Sequence, residues 1–125
     1  IVDLCFVIKK TDNDIFACIR YWLIEIGFEK GLLLGPLAVR KDMQRHGLGS
    51  MLINHSLEIA KEKKFKFCFV SGESDYYPKF GFNRIKQKNL ILPGAIDPER
   101  LHIIFFEEGI ENKMGDKPWT VKSSN

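Results

Sequence analysis

Gln44-Arg45-His46-Gly47-Leu48-Gly49 stands between the apolar run Leu32-Leu33-Leu34-Gly35-Pro36-Leu37-Ala38-Val39 and an amphipathic stretch from Leu48 to about Lys63. A glycine-rich loop that opens a helix offers backbone N–H groups without partners inside that helix, and such groups attract anions. Two glycines let a phosphate come close to the backbone, and Arg45 and His46 add positive or polarisable character beside it. The stretch therefore implies strand, phosphate loop and helix in that order, with a phosphorylated ligand on the loop.

Working outward, 32–39 reads as a strand in which Pro36 cannot donate a ladder hydrogen bond, so Gly35-Pro36 predicts a bulge or a lapse in pairing. Upstream, Leu4 to Lys9 and Ile15 to Ile26 read as an antiparallel hairpin turned at Thr11-Asp12-Asn13-Asp14, and Gly27 to Gly31 as a loop. Downstream, Leu48, Met51, Leu52 and Ile59 share a helical face that Ile53, Leu57 and Ala60 widen, with Asn54, Glu58, Lys61 and Glu62 on the opposite arc. Phe65 to Val70, nearly all apolar, reads as a strand buried on both faces and parallel to its neighbour. Together these make a right-handed β-α-β unit. Tyr77 to Phe80 predicts a short helix ended by Gly81. Phe82 to Gln87 and Leu101 to Phe106 predict two more strands about the turn-rich Leu92-Pro93-Gly94. The tail 109–125 is polar apart from Pro118-Trp119 and is expected to be loosely held.

The 125 residues, 45% hydrophobic and 28% charged, suit one ordinary globular domain, with a core over 4–106. No apolar run approaches the roughly 20 residues that cross a bilayer, and the first residues carry no secretion signal, so no membrane and a cytoplasmic setting are expected. Cys5, Cys18 and Cys68 are widely spaced, without a Cys-x-x-Cys pair, and read as buried free thiols rather than metal ligands. A net charge of +3 is mild, and no nucleic-acid partner is expected. His55, on the apolar side of the helix, reads as a core histidine. Lys61 to Lys66 reads as a solvated helix end, and Asn54-His55-Ser56 lies mid-helix and is discounted as a glycosylation site.

Two nucleotide signatures fail on the loop. A Walker loop needs Gly-Lys-Ser/Thr, but Ser50 follows Gly49 directly, and a dinucleotide fingerprint needs a third glycine where Leu52 stands. What remains, Gln-x-x-Gly-x-Gly after a bulged strand, resembles the pyrophosphate arm of the GNAT superfamily of acyl-CoA-dependent N-acetyltransferases. Tyr76-Tyr77-Pro78-Lys79-Phe80-Gly81-Phe82 is similar to the GNAT segment in which a tyrosine precedes Gly-Phe by four residues. With Leu34 to Val39 and Leu92-Pro93-Gly94, the set is most similar to the YhbS-like subgroup of predicted acetyltransferases.

The resemblance implies an α/β (α+β) GNAT acyl-CoA N-acyltransferase fold: a mixed twisted sheet about the β-α-β unit. The strand and two helices with which the family begins have no counterpart here. It implies acetyl-CoA as co-substrate, with no metal, its pyrophosphate on the loop from Gln44 through Arg45, His46, Gly47, Leu48 and Gly49 to Ser50. Its pantetheine arm would lie along Leu37, Ala38 and Val39, with Tyr77 and Phe80 nearby, and the N–H of Leu37 or Val39 would polarise the thioester carbonyl. Tyr77 stands at the family's acid position, able to protonate the departing thiolate. Glu25, Glu73 and Asp75 are open alternatives for the base. Tyr76 reads as structural or substrate-lining, and Cys68 as a packed thiol rather than a nucleophile. The implied activity is transfer of an acetyl group to a primary amine, on a small molecule or a protein, by direct attack in a ternary complex. A non-catalytic acyl-CoA-binding module is the alternative, and a homodimer is compatible with either.

Overall fold

Alternation along the first two strands starts the sheet. A computed structural model of the chain describes residues 4–72, 75–85, 90–91, 100–114 and 119–123. Strand β1 (Leu4–Thr11) pairs antiparallel with β2 (Asp14–Ile26), which pairs antiparallel with β3 (Glu29–Val39). The loop expected over 27–31 shrinks to a turn at Gly27-Phe28, because Glu29, Lys30 and Gly31 already pair with Ile26, Glu25 and Ile24. A 3-10 turn (Lys41–Met43) follows β3, then the loop, then helix α1 (Leu48–Glu62). β4 (Phe67–Ser71) runs parallel to β3, which completes the expected β-α-β unit, and starts two residues later than its apolar run.

The remainder comprises a second 3-10 turn (Tyr77–Phe80), β5 (Asn83–Arg84), β6 (Leu90–Ile91), β7 (Leu101–Phe105), α2 (Ile110–Met114) and β8 (Trp119–Ser123). Their order across the eight-stranded sheet is β5-β7-β4-β3-β2-β8-β6, with β1 also on β2. Of the strand expected over 82–87 only Asn83–Arg84 is seen, and 86–89 and Leu92-Pro93-Gly94 lie outside the described residues.

The tail departs most from expectation. Trp119 to Ser123 forms a strand on β2, pairing Val121 with Ile26 and Ser123 with Ile24, and Trp119 is 1% exposed. An indole brings a large apolar area to a core, so one buried tryptophan can anchor a stretch whose composition reads as polar.

One core lies on each face of the sheet. Under α1, Leu52, Ile53, Leu57 and Ala60 meet Ile19, Tyr21, Leu34, Cys68 and Val70. On the other face Ile24, Ile26, Phe67, Phe69, Leu101, Ile103, Trp119 and Val121 meet. Adjacent residues of β4 therefore serve different cores, as expected for a strand buried on both sides.

Three exposed side chains differ from the sequence reading, and Cys18 is only partly buried. Met51 is 57% exposed, His55 is exposed with its ring 6.0 Å from Phe6, and Cys5 is exposed. The buried stripe runs through Ser56, whose hydroxyl meets Tyr21 Oη at 2.7 Å and donates to the Ile53 carbonyl at 3.1 Å. That polar contact rotates the helix away from the stripe that apolar residues alone suggest. Among the described residues no helix is long and apolar enough to cross a membrane.

Candidate functional site

The bulge expected at Gly35-Pro36 is present: Ile19 faces Leu37 and Tyr21 faces Leu34, so two residues of β3 oppose Arg20 alone. At Gly35 a Cβ would lie 2.7 Å from Trp22 Nε1, which leaves room only for glycine. Pairing between β3 and β4 stops at Leu33 and Phe69, although β3 continues to Val39. Beyond Leu33 the two parallel strands separate, and β3 presents an edge with no strand partner among the described residues.

The direction of that edge follows from one hydrogen bond. Arg40 N donates to Phe16 O at 2.7 Å, and N–H groups in an antiparallel ladder alternate. Ala38 therefore turns its N–H toward β2, while Leu37 and Val39 turn theirs toward the opening. The carbonyl of Val39 points the same way and accepts from Gln44 Nε2 at 3.3 Å.

The open edge meets the start of α1. Gly47, at φ 77°, caps the helix without a side-chain hydrogen bond, so the first amides of α1 keep their donors free. Arg45 also holds a positive φ, 69°, at a cost of about 1–2 kcal/mol for a residue with a Cβ. Between loop and edge lies a cleft of about 420 Å³ lined by Leu37, Val39, Gln44, Arg45, Gly47, Leu48, Gly49, Ser50 and Tyr76. A Cβ on Gly49 would meet Tyr76 Oη at 3.3 Å and the side chains of Leu37 and Val39 at 3.7 and 3.8 Å. Glycine here keeps the cradle open, and uncapped amides, an exposed arginine and an apolar wall suit a phosphate joined to a less polar arm.

Eight of the twelve residues expected at the cofactor line this cleft. Ala38 is exposed and alternates away from Leu37 and Val39, and His46 is exposed and outside the lining. Phe80 lines a separate cavity of about 220 Å³ with Leu57, Glu58 and Ile104. Tyr77 stands behind Tyr76, with ring centroids 5.1 Å apart, and packs against Phe82 at 5.9 Å and His102 at 6.3 Å. Its ring also fills the space over Gly72, where a Cβ would lie 2.4 Å from it. Burial, and then the neighbouring Tyr76, push the Tyr77 phenol above its ordinary value. Tyr76 carries Lys79 Nζ 4.2 Å from its ring centre and turns its hydroxyl to the loop.

Among the three carboxylates considered as base, Glu25 is corrected. It pairs with Lys30 at 3.3 Å, at the end of β2 opposite Ala17 to Ile19, on the order of 20 Å from Leu37 by strand rise. Glu73 lies outside the described residues, and Asp75 is exposed just before Tyr76. Cys68 is fully buried, and burial pushes its thiol far above the ordinary range, which suits a packed group. No cluster of three or more His, Cys, Asp or Glu among the described residues fits a metal ion.

The split strands, bulge and uncapped helix have a counterpart in sequence. A profile of the acetyltransferase (GNAT) domain matches residues 2–84, two thirds of the chain and all of this site. The chain belongs to the GNAT acetyltransferase family. Solved GNAT structures share its fold. Escherichia coli YhbS, determined with CoA, superposes with a TM-score of 0.79 at 15% identity, over 97% of this chain and 67% of that one. A Brucella melitensis GNAT acetyltransferase, determined with acetyl-CoA, gives 0.64 at 24% identity, over 83% and 58%. Tetrahymena GCN5 gives 0.59 at 16%, over 84% and 69%. This GNAT chain thus spans between 58% and 69% of the length of these relatives. None of the curated proteins is significantly similar to it in sequence.

Proposed function

We propose that the protein is an acetyl-CoA-dependent N-acetyltransferase acting on a primary amine. The observation that carries this reading is the meeting, in one cleft, of an uncapped helix start and a strand edge whose N–H groups have no ladder partner among the described residues. The amides of Arg45 to Ser50 would hold the pyrophosphate, with Gly49 leaving the space it needs, and the edge from Leu37 to Val39 would pair with the pantetheine arm. When bound, acetyl-CoA supplies the activated acyl group as a thioester. The amine nitrogen bonds to the acyl carbon as the carbon–sulfur bond breaks, and the N–H of Leu37 or Val39 stabilises charge on the carbonyl oxygen. The Tyr77 phenol, protonated at neutral pH as any tyrosine is, gives its proton to the departing sulfur. The ammonium proton leaves to water or to the Asp75 carboxylate. Three free thiols agree with a reducing, cytoplasmic setting.

Calorimetry with acetyl-CoA, followed by a thiol-release screen over small amines and peptide N-termini, tests the reading. Binding in the micromolar range and amine-dependent release are expected. Tyr77→Phe should then lower kcat at least tenfold with little change in acetyl-CoA affinity, and unchanged turnover removes Tyr77 from the mechanism. Because Tyr76 lines the cleft, Tyr76→Phe is measured beside it, and a larger loss there transfers the acid role to Tyr76. Tight binding with no release from any amine would instead favour a non-catalytic acyl-CoA-binding module.

A further inference from the structure

Arg40 lies between β3 and the 3-10 turn that leads into the phosphate loop, and the sequence gives it no motif. Its backbone N–H donates to Phe16 O at 2.7 Å, and its carbonyl accepts from Met43 N at 2.8 Å. Nε and Nη2 donate in a fork to the two carboxylate oxygens of Asp42, at 2.6 and 3.1 Å. Nη1 donates to Asp14 Oδ1, and the guanidinium lies 4.8 Å from the centre of the Phe16 ring. One residue therefore ties the start of β2, the end of β3 and the turn together.

The loop beyond it needs such a tie. Within four residues the chain passes through positive φ at Arg45 and at Gly47. A strained backbone persists only where its surroundings over-determine it. Upstream of the loop the fixed points are the Arg40 network and the Gln44–Val39 contact, and downstream the first turn of α1, where Met51 N donates to Gly47 O at 3.0 Å. A lone surface ion pair does little, but a planar fork with two carboxylates and an aromatic face is the geometry in which arginine fixes direction and lysine does not.

We propose that Arg40 is the positioning residue of the phosphate loop: its fork to Asp42, with its separate bond to Asp14, sets where the amides of 45–50 point, and so sets affinity for the nucleotide end of the donor. The brace rests on geometry alone, whereas its effect on affinity rests on the acetyl-CoA reading above. The experiment therefore reads both. Amide hydrogen exchange of the free protein is followed over 43–50, and acetyl-CoA KM and kcat are measured, for the wild type, Arg40→Lys, Asp42→Asn and the control Lys66→Gln, which breaks a surface pair with Glu107 at the other end of β3. Arg40→Lys should speed exchange over 43–50 and raise KM about tenfold while kcat changes less than KM, because charge-assisted hydrogen bonds are lost outside the reacting atoms. Asp42→Asn should move both readouts the same way, and Lys66→Gln neither. Wild-type exchange in Arg40→Lys and Asp42→Asn overturns the brace, as does uniform loss of protection across the sheet, which would mark a general stabilising role. Faster loop exchange in a protein that binds no acetyl-CoA supports the brace and overturns the donor reading.

Discussion

A single hydrogen atom at Gly49 keeps the cleft open. Any Cβ there would meet Tyr76 Oη at 3.3 Å and the walls formed by Leu37 and Val39, so Gly49→Ala narrows the space between loop and edge. The same substitution suits the first turn of α1, where alanine is favoured over glycine by up to about 1 kcal/mol. Affinity and stability should therefore move in opposite directions. Calorimetry should show acetyl-CoA binding weakened about tenfold or more, with a melting temperature equal to or above wild type. Unchanged binding would mean that the ligand does not approach Gly49. That Gly49 opens a helix beside a loop was legible in the sequence, because two close glycines precede an amphipathic stretch. Arg40 was not, because its meaning depends on Asp14, which lies 26 residues away and arrives only through the register of β2 and β3.

Elements reveal what periodicity reads and what it misses. The bulge in β3 was legible because proline lacks the donor a ladder needs, and β4 because an unbroken apolar run has no polar face to show. The rotation of α1 was not, since Ser56 looks like a surface residue until the Tyr21 hydroxyl reaches it across the core. Tyr21 and Cys68 are both pushed above their ordinary values, in each case first by burial, and stay neutral in the fold. For a group raised on folding, stability is fully present below the unfolded value and falls as pH rises toward the folded one. The unfolded thiol titrates near about 8.5 and the phenol near about 10, so resistance to urea should be level from pH 7 to 8.5 and decline above that. Cys68→Val, close in volume, should flatten the part of the decline between pH 8.5 and 10. An identical slope in that variant would assign the alkaline loss elsewhere.

At the scale of the whole molecule, the cleft and the second core lie on opposite faces of the sheet. The cleft, α1 and both tyrosines of the 77–80 turn region belong to one side, and the second core, closed by β8, belongs to the other. Trp119 is the plug of that second core, 1% exposed and edge-on to Phe105 at 6.3 Å, on a strand tied to β2 through Val121 and Ile26. The Glu29–Lys113 pair, at 3.1 Å, holds α2 to the start of β3 just before it. Sequence alone reads 109–125 as a polar tail because an isolated Pro-Trp carries no period, and a strand that joins a sheet at its far end is recognised only when its partner is known. Trp119→Ala should remove about 3–5 kcal/mol, a large share of the stability of a domain this size, and lower the melting temperature accordingly. Because the cleft lies on the opposite face, the fraction still folded at low temperature should bind acetyl-CoA with wild-type affinity by calorimetry. Loss of affinity in a sample that circular dichroism shows to be fully folded would mean that the two faces are coupled through β4, whose residues alternate between the cores.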